Sequence, residues 1–539
     1  MFTRQKKLLM GMLFLLLFTT ACGAAAPATR APDVQAPASN YEPEMPGAAT
    51  EAPAAQAPAV GLAPMATQSL NFAQPNSMQP SGPSPYDMFF QDYGVNPSID
   101  TEDDNLSTFA MDVDTGSYTI MRNYLKDGNL PPTDSVRVED YVNYFDQGYP
   151  NPPAHQAFWI NVDGAPSPFT ETERYQMMRV GIQGYQVPEQ ERKDANLVFV
   201  IDVSGSMDMD NRLGLVKQSL ELLVEQLRPS DTVSIVVYGT EARVVLEPTS
   251  GSDKGRILRA IHWLQPEGVT NAEAGIRLGY KMAMHGFKPD GINRVILCSD
   301  GVANVGETGP DEILSEIRHY VEENVTLTTV GFGMDNYNDT LMEQLADNGD
   351  GFYAYVDDLR EARRLFIDQI AGTLQTIAMD AKVQVDFNPE VVMRYRLVGF
   401  ENRAIADEDF RDNSVDAGEI GAGHSVTALY EVKLYPEARG RIATVSMRWQ
   451  DPDTRQVMEL SRDFDSSEPE YEFRDANPFF QRSVVVAEFA EILKKSYWAE
   501  DSSLHSVYRE AQRLSESMAW DEDMGEFMEL IRRASGLAD

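Results

Sequence analysis

Cysteine and histidine are scarce in this chain of 539 residues, which contains two cysteines and six histidines. Cys22 and Cys298 stand in very different contexts and do not indicate a disulfide framework. Cys298 lies within an apolar run, where we expect it to be a small buried residue. The histidines form no His-x-x-x-His pair, and none lies in the segments discussed below as metal ligands. The positions of the cysteines and histidines therefore do not indicate the metal site of a zinc hydrolase.

Basic residues are also in deficit, with 45 Lys and Arg against 84 Asp and Glu, so the formal net charge is −39. A charge of this sign argues against nucleic acid and against an anionic membrane surface as partners. No glycine-rich phosphate loop with a lysine and no Ser-His-Asp grouping can be placed along the chain. We therefore predict that the protein is not an enzyme.

The sequence has no apolar run long enough to span a bilayer as a mature helix. The run Leu8–Phe18, preceded by basic residues, is too short and is typical of a targeting signal. Small residues and then Cys22 follow it, which resembles a bacterial lipoprotein signal. That resemblance implies an exported protein, lipid-anchored to the cell membrane through Cys22. Thr19 stands where Leu is common in such signals, so an ordinary secretory signal is the alternative.

Residues 23–84 are rich in Ala, Pro, Gln and Thr and hold few large apolar side chains. Such a segment cannot bury enough surface to offset the entropy of ordering, so we predict a disordered tether. Beyond it the composition supports folded structure, and the predicted domains are residues 1–22, 23–84, 85–192, 193–377, 378–470 and 471–539.

The chain is organised around one buried strand, Leu197–Ile201, an unbroken apolar run. It ends in Asp202, Ser204 and Ser206. A carboxylate and two hydroxyls at the carboxyl end of a central parallel strand lie where open α/β sheets place their ligands. All three are hard oxygen donors of the kind that Mg²⁺ prefers. Alone, this motif is also consistent with a capped strand-to-helix turn.

Two later segments repeat this chemistry. Thr270 lies in a loop before a helix, and Asp300 follows a second apolar strand, Arg294–Cys298. Strands and helices alternate throughout residues 193–377, which predicts a doubly wound, mainly parallel sheet. We expect a long helix over Leu359–Thr376 to close this domain.

Together these segments resemble the von Willebrand factor type A (VWA) domain and its metal-ion-dependent adhesion site. The resemblance implies that Ser204 and Ser206 bind the metal directly, that Thr270 binds it directly or through water, and that Asp202 and Asp300 act mostly through water. It implies Mg²⁺, or another divalent cation such as Mn²⁺ or Ca²⁺. Neutral hydroxyl ligands leave the cation attractive to an Asp or Glu carboxylate of a partner protein.

The flanks of this domain have a different character. Two predicted strands precede it, and several short alternating strands follow it over residues 378–470. Because both sets need partners, we predict one discontinuous β-sandwich into which the α/β domain is inserted. Helices are predicted over residues 471–539.

Three further segments extend the resemblance to a family of bacterial VWA lipoproteins with an added N-terminal segment and a C-terminal domain of unknown function. They are residues 111–118, 137–145 and 336–341. The first functional hypothesis is a membrane-anchored, metal-dependent adhesion or scaffolding protein. The alternative is a structural or assembly lipoprotein acting through its sandwich or C-terminal helices, with an incidental metal site. An unrecognised enzyme is the third hypothesis.

Overall fold

The computed structural model describes residues 88, 90–111, 114–153, 156–170, 175–301, 310–333, 338–369, 372 and 374–538. The predicted signal, the lipidation candidate Cys22 and the predicted tether 23–84 lie outside the described residues. So do residues 112–113 and 336–337 of the motifs quoted above. Within the described ranges, every helix is too short or too polar to cross a membrane.

The strands are β1 (Ile99–Asp100), β2 (Leu106–Ala110), β3 (Phe158–Pro166), β4 (Tyr175–Gly184), β5 (Ala195–Asp202), β6 (Thr232–Tyr238), β7 (Ala242–Ser250), β8 (Ile292–Ser299), β9 (Thr326–Phe332), β10 (Tyr353–Val356), β11 (Thr376–Phe387), β12 (Val392–Val398), β13 (Gly418–Gly421), β14 (Ser425–Leu434), β15 (Arg441–Gln450) and β16 (Val457–Asp465). The α-helices are α1 (Gly116–Lys126), α2 (Val138–Asn143), α3 (Arg212–Gln226), α4 (Lys254–His262), α5 (Ala272–His285), α6 (Pro310–Glu322), α7 (Asp339–Asp347), α8 (Leu359–Arg363), α9 (Pro478–Lys494), α10 (Leu504–Ser517) and α11 (Glu522–Ala538).

The central sheet has the strand order β10-β9-β8-β5-β6-β7. All its pairs are parallel except the edge pair of β6 and β7. Every residue of β5 is buried, and its side chains alternate between two apolar cores on opposite faces of the sheet. Phe199 belongs to one core and Val200 to the other. The prediction of a doubly wound, mainly parallel sheet is confirmed, and β5 lies at its centre.

Helix α5 approaches β5 closely because Gly279 faces the strand. A Cβ atom at Gly279 would lie 2.3 Å from Cγ2 of Val200, which is far inside van der Waals contact. This close packing fixes the start of α5, and with it the loop that holds Thr270, relative to the end of β5.

Two further sheets form the predicted sandwich. One has the order β1-β12-β14-β4-β3, and the other has the order β13-β11-β15-β16 with β2 also paired to β11. Each sheet combines strands from before and after the central sheet in sequence; for example, β4 pairs with β14. Inward-facing residues of both sheets, such as Val180 and Val385, share one apolar core. The insertion of the α/β domain into a discontinuous sandwich is thereby confirmed.

The predicted long helix over Leu359–Thr376 is interrupted rather than continuous. Helix α8 covers Leu359–Arg363, a π-helical turn follows over Arg364–Asp368, Gly372 and Leu374 are again helical, and β11 begins at Thr376. The guanidinium of Arg364 donates to the backbone carbonyl of Tyr144 and lies 3.9 Å from the centre of its ring. We attribute the altered winding to this tertiary anchor, since π-helical turns occur where local contacts override the regular ladder.

The predicted C-terminal helices are present as α9, α10 and α11. They share an apolar core with α1 and α2 of the segment that precedes the central sheet. Arg122 of α1 forms buried ion pairs with Asp357 and Glu361, and its guanidinium lies 3.3 Å from Glu526 of α11. The helices before the α/β domain and the helices at the C-terminus are therefore packed together beside that domain.

Candidate metal centre

Asp202 is the last residue of β5, and its side chain is fully buried. One carboxylate oxygen accepts from the backbone N–H of Ser204 at 2.7 Å, and the other from the hydroxyl of Ser299 at 3.2 Å. Burial, with a smaller contribution from the charge of nearby Asp300, raises the pKa of Asp202 to about 6. A neighbouring cation would stabilise the ionised form of this buried carboxylate.

The loop after β5 brings two hydroxyls together. Oγ of Ser204 lies 3.1 Å from Oγ of Ser206, and the chain then enters a 3₁₀ turn over Gly205–Asn211. Adjacent ligands of an octahedral Mg²⁺, each 2.0–2.1 Å from the ion, are about 3.0 Å apart. Ser204 is buried, Ser206 is half-buried and Gly205 is exposed. The pair thus has the spacing of two neighbouring metal ligands and faces solvent on one side.

The loop that carries Thr270 is joined to this first loop through the backbone. The N–H of Gly205 donates to the carbonyl of Gly268 at 3.2 Å, and the N–H of Glu267 donates to the carbonyl of Val203 at 2.5 Å. Gly268 has a φ of +78°, and a Cβ there would lie 2.2 Å from Oγ1 of Thr240. Only glycine fits this position.

Thr270 follows two residues after Gly268 and is half-buried. The next residue, Asn271, caps α5 by accepting from the N–H of Ala274 at 3.2 Å. The helix start and the backbone pairing of the loops place Thr270 at the same edge of the sheet as Ser204.

Asp300 directly follows β8, the parallel neighbour of β5, and is 4% exposed. Its carboxylate forms an ion pair with Arg212, whose Nη1 lies 2.7 Å from Oδ2. Arg212 is the first residue of α3 and is itself buried. Sequence reasoning missed this residue. The only available signal was an arginine at the start of the helix that follows the Asp202 motif.

The residues at this edge fit a hard divalent cation. They offer hydroxyl and carboxylate oxygens, the donors that Mg²⁺ selects, and they include no soft ligand. Among the described residues, no group of three or more His, Cys, Asp and Glu is arranged to hold a metal. Serine and threonine are not among those four residue types, whereas the candidate ligand set at this edge includes three hydroxyls.

Three protein-family models match this chain. A family model described as the von Willebrand factor type A domain matches residues 196–368, and one described as von Willebrand factor matches residues 84–179. A third model, described as the C-terminal part of the uncharacterised protein YfbK, matches residues 372–537. Members of the VWA family commonly mediate protein–protein interaction.

Similarity to one bacterial protein identifies the family within the VWA-containing proteins. The uncharacterised protein YfbK of Escherichia coli is 36% identical over 484 residues, which are 84% of this chain and 81% of the relative. The chain belongs to the YfbK family of VWA-containing proteins.

More distant similarity extends to other organisms. Human inter-alpha-trypsin inhibitor heavy chain H4 is 25% identical over 332 residues, which are 59% of this chain and 33% of the relative. A solved structure of a von Willebrand factor type A protein from Catenulispora acidiphila is 15% identical. It aligns with 69% of this chain and 89% of its own, with a TM-score of 0.41.

Proposed function

We propose that this chain binds a divalent cation at the edge formed by Ser204, Ser206 and Thr270, and through it a carboxylate of a partner protein. Asp202 and Asp300 would hold and orient the ion and its waters. Mg²⁺ is the expected cation, with Mn²⁺ or Ca²⁺ as substitutes. When bound, the ion supplies a positive charge with an open coordination position for an Asp or Glu side chain.

The observation that carries this proposal is the spacing of the two serine hydroxyls. Their 3.1 Å separation suits two adjacent ligands of one small cation. The fully buried carboxylate of Asp202 comes two residues before Ser204 in the sequence and stabilises a nearby positive charge.

The exposure of the surrounding loops supports a role in binding. Gly205 is exposed, and Val269, beside Thr270, is 69% exposed. Met209, in the turn after Ser206, is 46% exposed. In protein interfaces, exposed apolar side chains around a polar site contact the partner and exclude water from the polar contact. Val269 and Met209 can do both around the proposed cation site. The partner is therefore a protein rather than nucleic acid, which the net charge of −39 disfavours.

The proposed location of this activity rests on the N-terminal sequence. The apolar run Leu8–Phe18 ahead of Cys22 supports export and lipid anchoring to the cell membrane. Mass spectrometry of the protein from its own host tests this point. A diacylglyceryl group on Cys22 is the expected result, and a mature chain lacking any lipid contradicts it.

Crosslinking in intact cells tests the partner. A partner captured in Mg²⁺ and lost both in EDTA and in Ser206→Ala supports adhesion or scaffolding through the cation. Ser252→Ala, at an exposed serine in the loop after β7, is the matched control and should retain the partner. A partner retained in EDTA and in Ser206→Ala would favour the alternative, a structural or assembly lipoprotein acting through its sandwich or C-terminal helices.

A further inference from the structure

Ser299 is the last residue of β8 and is completely buried. It stands next to both carboxylates of the candidate metal centre. Asp300 directly follows it in the sequence, and β8 is the parallel neighbour of β5, which ends in Asp202. Ser299 is not among the predicted metal ligands, so its contacts have to be explained in another way.

The hydroxyl of Ser299 makes two hydrogen bonds inside the protein. It donates to Oδ2 of Asp202 at 3.2 Å and accepts from the backbone N–H of Gly301 at 3.2 Å. A backbone N–H can only donate, and a hydroxyl has a single proton, so the direction of both bonds is fixed. One buried side chain thereby joins Asp202 to the turn that holds Asp300.

The carboxylate of Asp202 is held at both of its oxygens. Oδ1 accepts from the backbone N–H of Ser204 at 2.7 Å, and Oδ2 accepts from the hydroxyl of Ser299. Asp202 therefore cannot turn both oxygens towards one point without breaking one of these bonds.

Mg²⁺ and Ca²⁺ need different ligand arrangements. Mg²⁺ takes oxygens at about 2.0–2.1 Å in near-octahedral geometry, whereas Ca²⁺ takes about six to eight at about 2.3–2.6 Å and often binds both oxygens of one carboxylate. Adjacent octahedral ligands are then about 3.0 Å apart around Mg²⁺ and about 3.3–3.7 Å apart around Ca²⁺. The 3.1 Å between Oγ of Ser204 and Oγ of Ser206 suits the smaller ion.

We propose that Ser299 is a positioning residue that makes this site select Mg²⁺ over Ca²⁺. The inference rests on the proposed function, because it concerns the same cation. While the hydroxyl holds Oδ2, Asp202 cannot offer both oxygens to a larger ion, so Ca²⁺ lacks a bidentate carboxylate there. The same hydroxyl ties the turn of Asp300 to Asp202, and a rigid ligand set disfavours the larger ion.

Isothermal titration of Mg²⁺ and of Ca²⁺ into the full chain measures this selectivity as the ratio of two dissociation constants. Ser299→Ala removes the hydroxyl with little change in volume, and Ser299→Thr keeps it. Ser234→Ala is the matched control, because Ser234 is an equally buried serine on β6 whose hydroxyl has no hydrogen-bond partner in the described structure. Thermal melting in EDTA checks that each variant is folded.

Ser299→Ala should weaken Mg²⁺ binding by about tenfold and Ca²⁺ binding by less, so that the preference for Mg²⁺ falls by about threefold or more. Ser299→Thr should keep the preference, because its hydroxyl can make the same two bonds. Ser234→Ala should match the unaltered chain. A purely structural role of Ser299 would weaken the binding of both ions by the same factor, so the ratio distinguishes positioning from a general loss of stability.

The outcomes separate this inference from the proposed function. No Mg²⁺ binding by the unaltered chain would refute both. Mg²⁺ binding with the same ratio in Ser299→Ala as in Ser234→Ala would refute the positioning role alone, and so would a preference of the unaltered chain for Ca²⁺. Should Ser299→Ala fail to fold, Ser299→Cys replaces it. A thiol is a weak donor, so the ratio should shift in the same direction, and an unchanged ratio would refute the inference.

Discussion

Nη1 of Arg212 lies 2.7 Å from Oδ2 of Asp300, and both side chains are almost fully buried. Asp300 is the candidate ligand that closes the metal centre on the β8 side. Its charge is therefore shared between a fixed guanidinium and any cation that binds beside Ser204. This pairing makes the affinity of the site and the stability of the cation-free protein depend on the same arginine.

We predict that Arg212→Gln lowers the melting temperature in EDTA and enlarges the stabilisation gained on adding Mg²⁺. Loss of one partner of a buried ion pair costs about 3–5 kcal/mol, because the other charge remains buried. An added cation then compensates Asp300 without competition. Thermal melting with and without Mg²⁺ measures both effects, and Arg212→Lys is the charge-preserving control. An Mg²⁺ shift equal to that of the unaltered chain would contradict the prediction.

The packing of α5 on β5 can be tested at a glycine. Gly279→Ala places a Cβ 2.3 Å from Cγ2 of Val200, so we expect destabilisation of about 1–3 kcal/mol from overpacking. Gly525→Ala is the matched control, since no atom lies within 4 Å of its added Cβ on α11. That helical change should stabilise by about 0.5–1 kcal/mol. Chemical denaturation of both variants measures the difference, and similar effects in the two would contradict the close contact.

The buried carboxylate of Glu139, on α2, makes the stability of the fold depend on pH. Its pKa is raised from 4.5 to about 7 in the folded chain, so between these values the folded state binds more protons than the unfolded state. Stability attributable to this group therefore falls as the pH rises through that window and stays reduced above it. Glu139→Gln should raise the melting temperature at about pH 8 and leave it unchanged at about pH 4.

Melting curves at several pH values compare this variant with Glu390→Gln, whose exposed side chain should show no such difference. A gain for Glu139→Gln that is equally large at both ends of the pH range would contradict the titration of Glu139.

The ion pairs of Arg137 test the junction between the N-terminal segment and the α/β domain. Its guanidinium lies at the start of α2 and bonds Asp339 and Glu343 of α7. We expect Arg137→Met to destabilise the chain by about 3–5 kcal/mol, because both carboxylates lose a buried partner. Calorimetric melting is the measurement, and Arg243→Met, which breaks the exposed pair with Glu267, is the control with an expected loss of about 1 kcal/mol or less.

Much of the fold could be predicted because its signals are local. The apolar run Leu197–Ile201 is long enough to require burial on both faces, and the residues that follow it carry their chemistry in one short loop. The strands on both flanks of the α/β domain needed partners, which led to the prediction of one sandwich built from both flanks. The apolar run predicted the position of Asp202, and the strands on both flanks predicted the insertion of one domain into another.

Features that depend on distant contacts could not be predicted. Arg212 and Asp300 are 88 residues apart in sequence, and nothing local marks their ion pair. The π-helical turn at Arg364–Asp368 depends on the contact of Arg364 with Tyr144, whereas its sequence alone favours a continuous helix. The burial of the Glu139 carboxylate is equally invisible in sequence, because Glu139 packs against Gly399, which is distant along the chain.

The central claim is that one divalent cation binds at the hydroxyls of Ser204 and Ser206 with the help of Asp202. Isothermal titration of Mg²⁺ into the full chain tests it most directly, with Asp202→Ala, Ser206→Ala and the control Ser252→Ala. We expect one site in the unaltered chain and in Ser252→Ala, and affinity reduced by about tenfold or more in the other two. Equal binding in all four proteins, or no binding in any, would contradict the account.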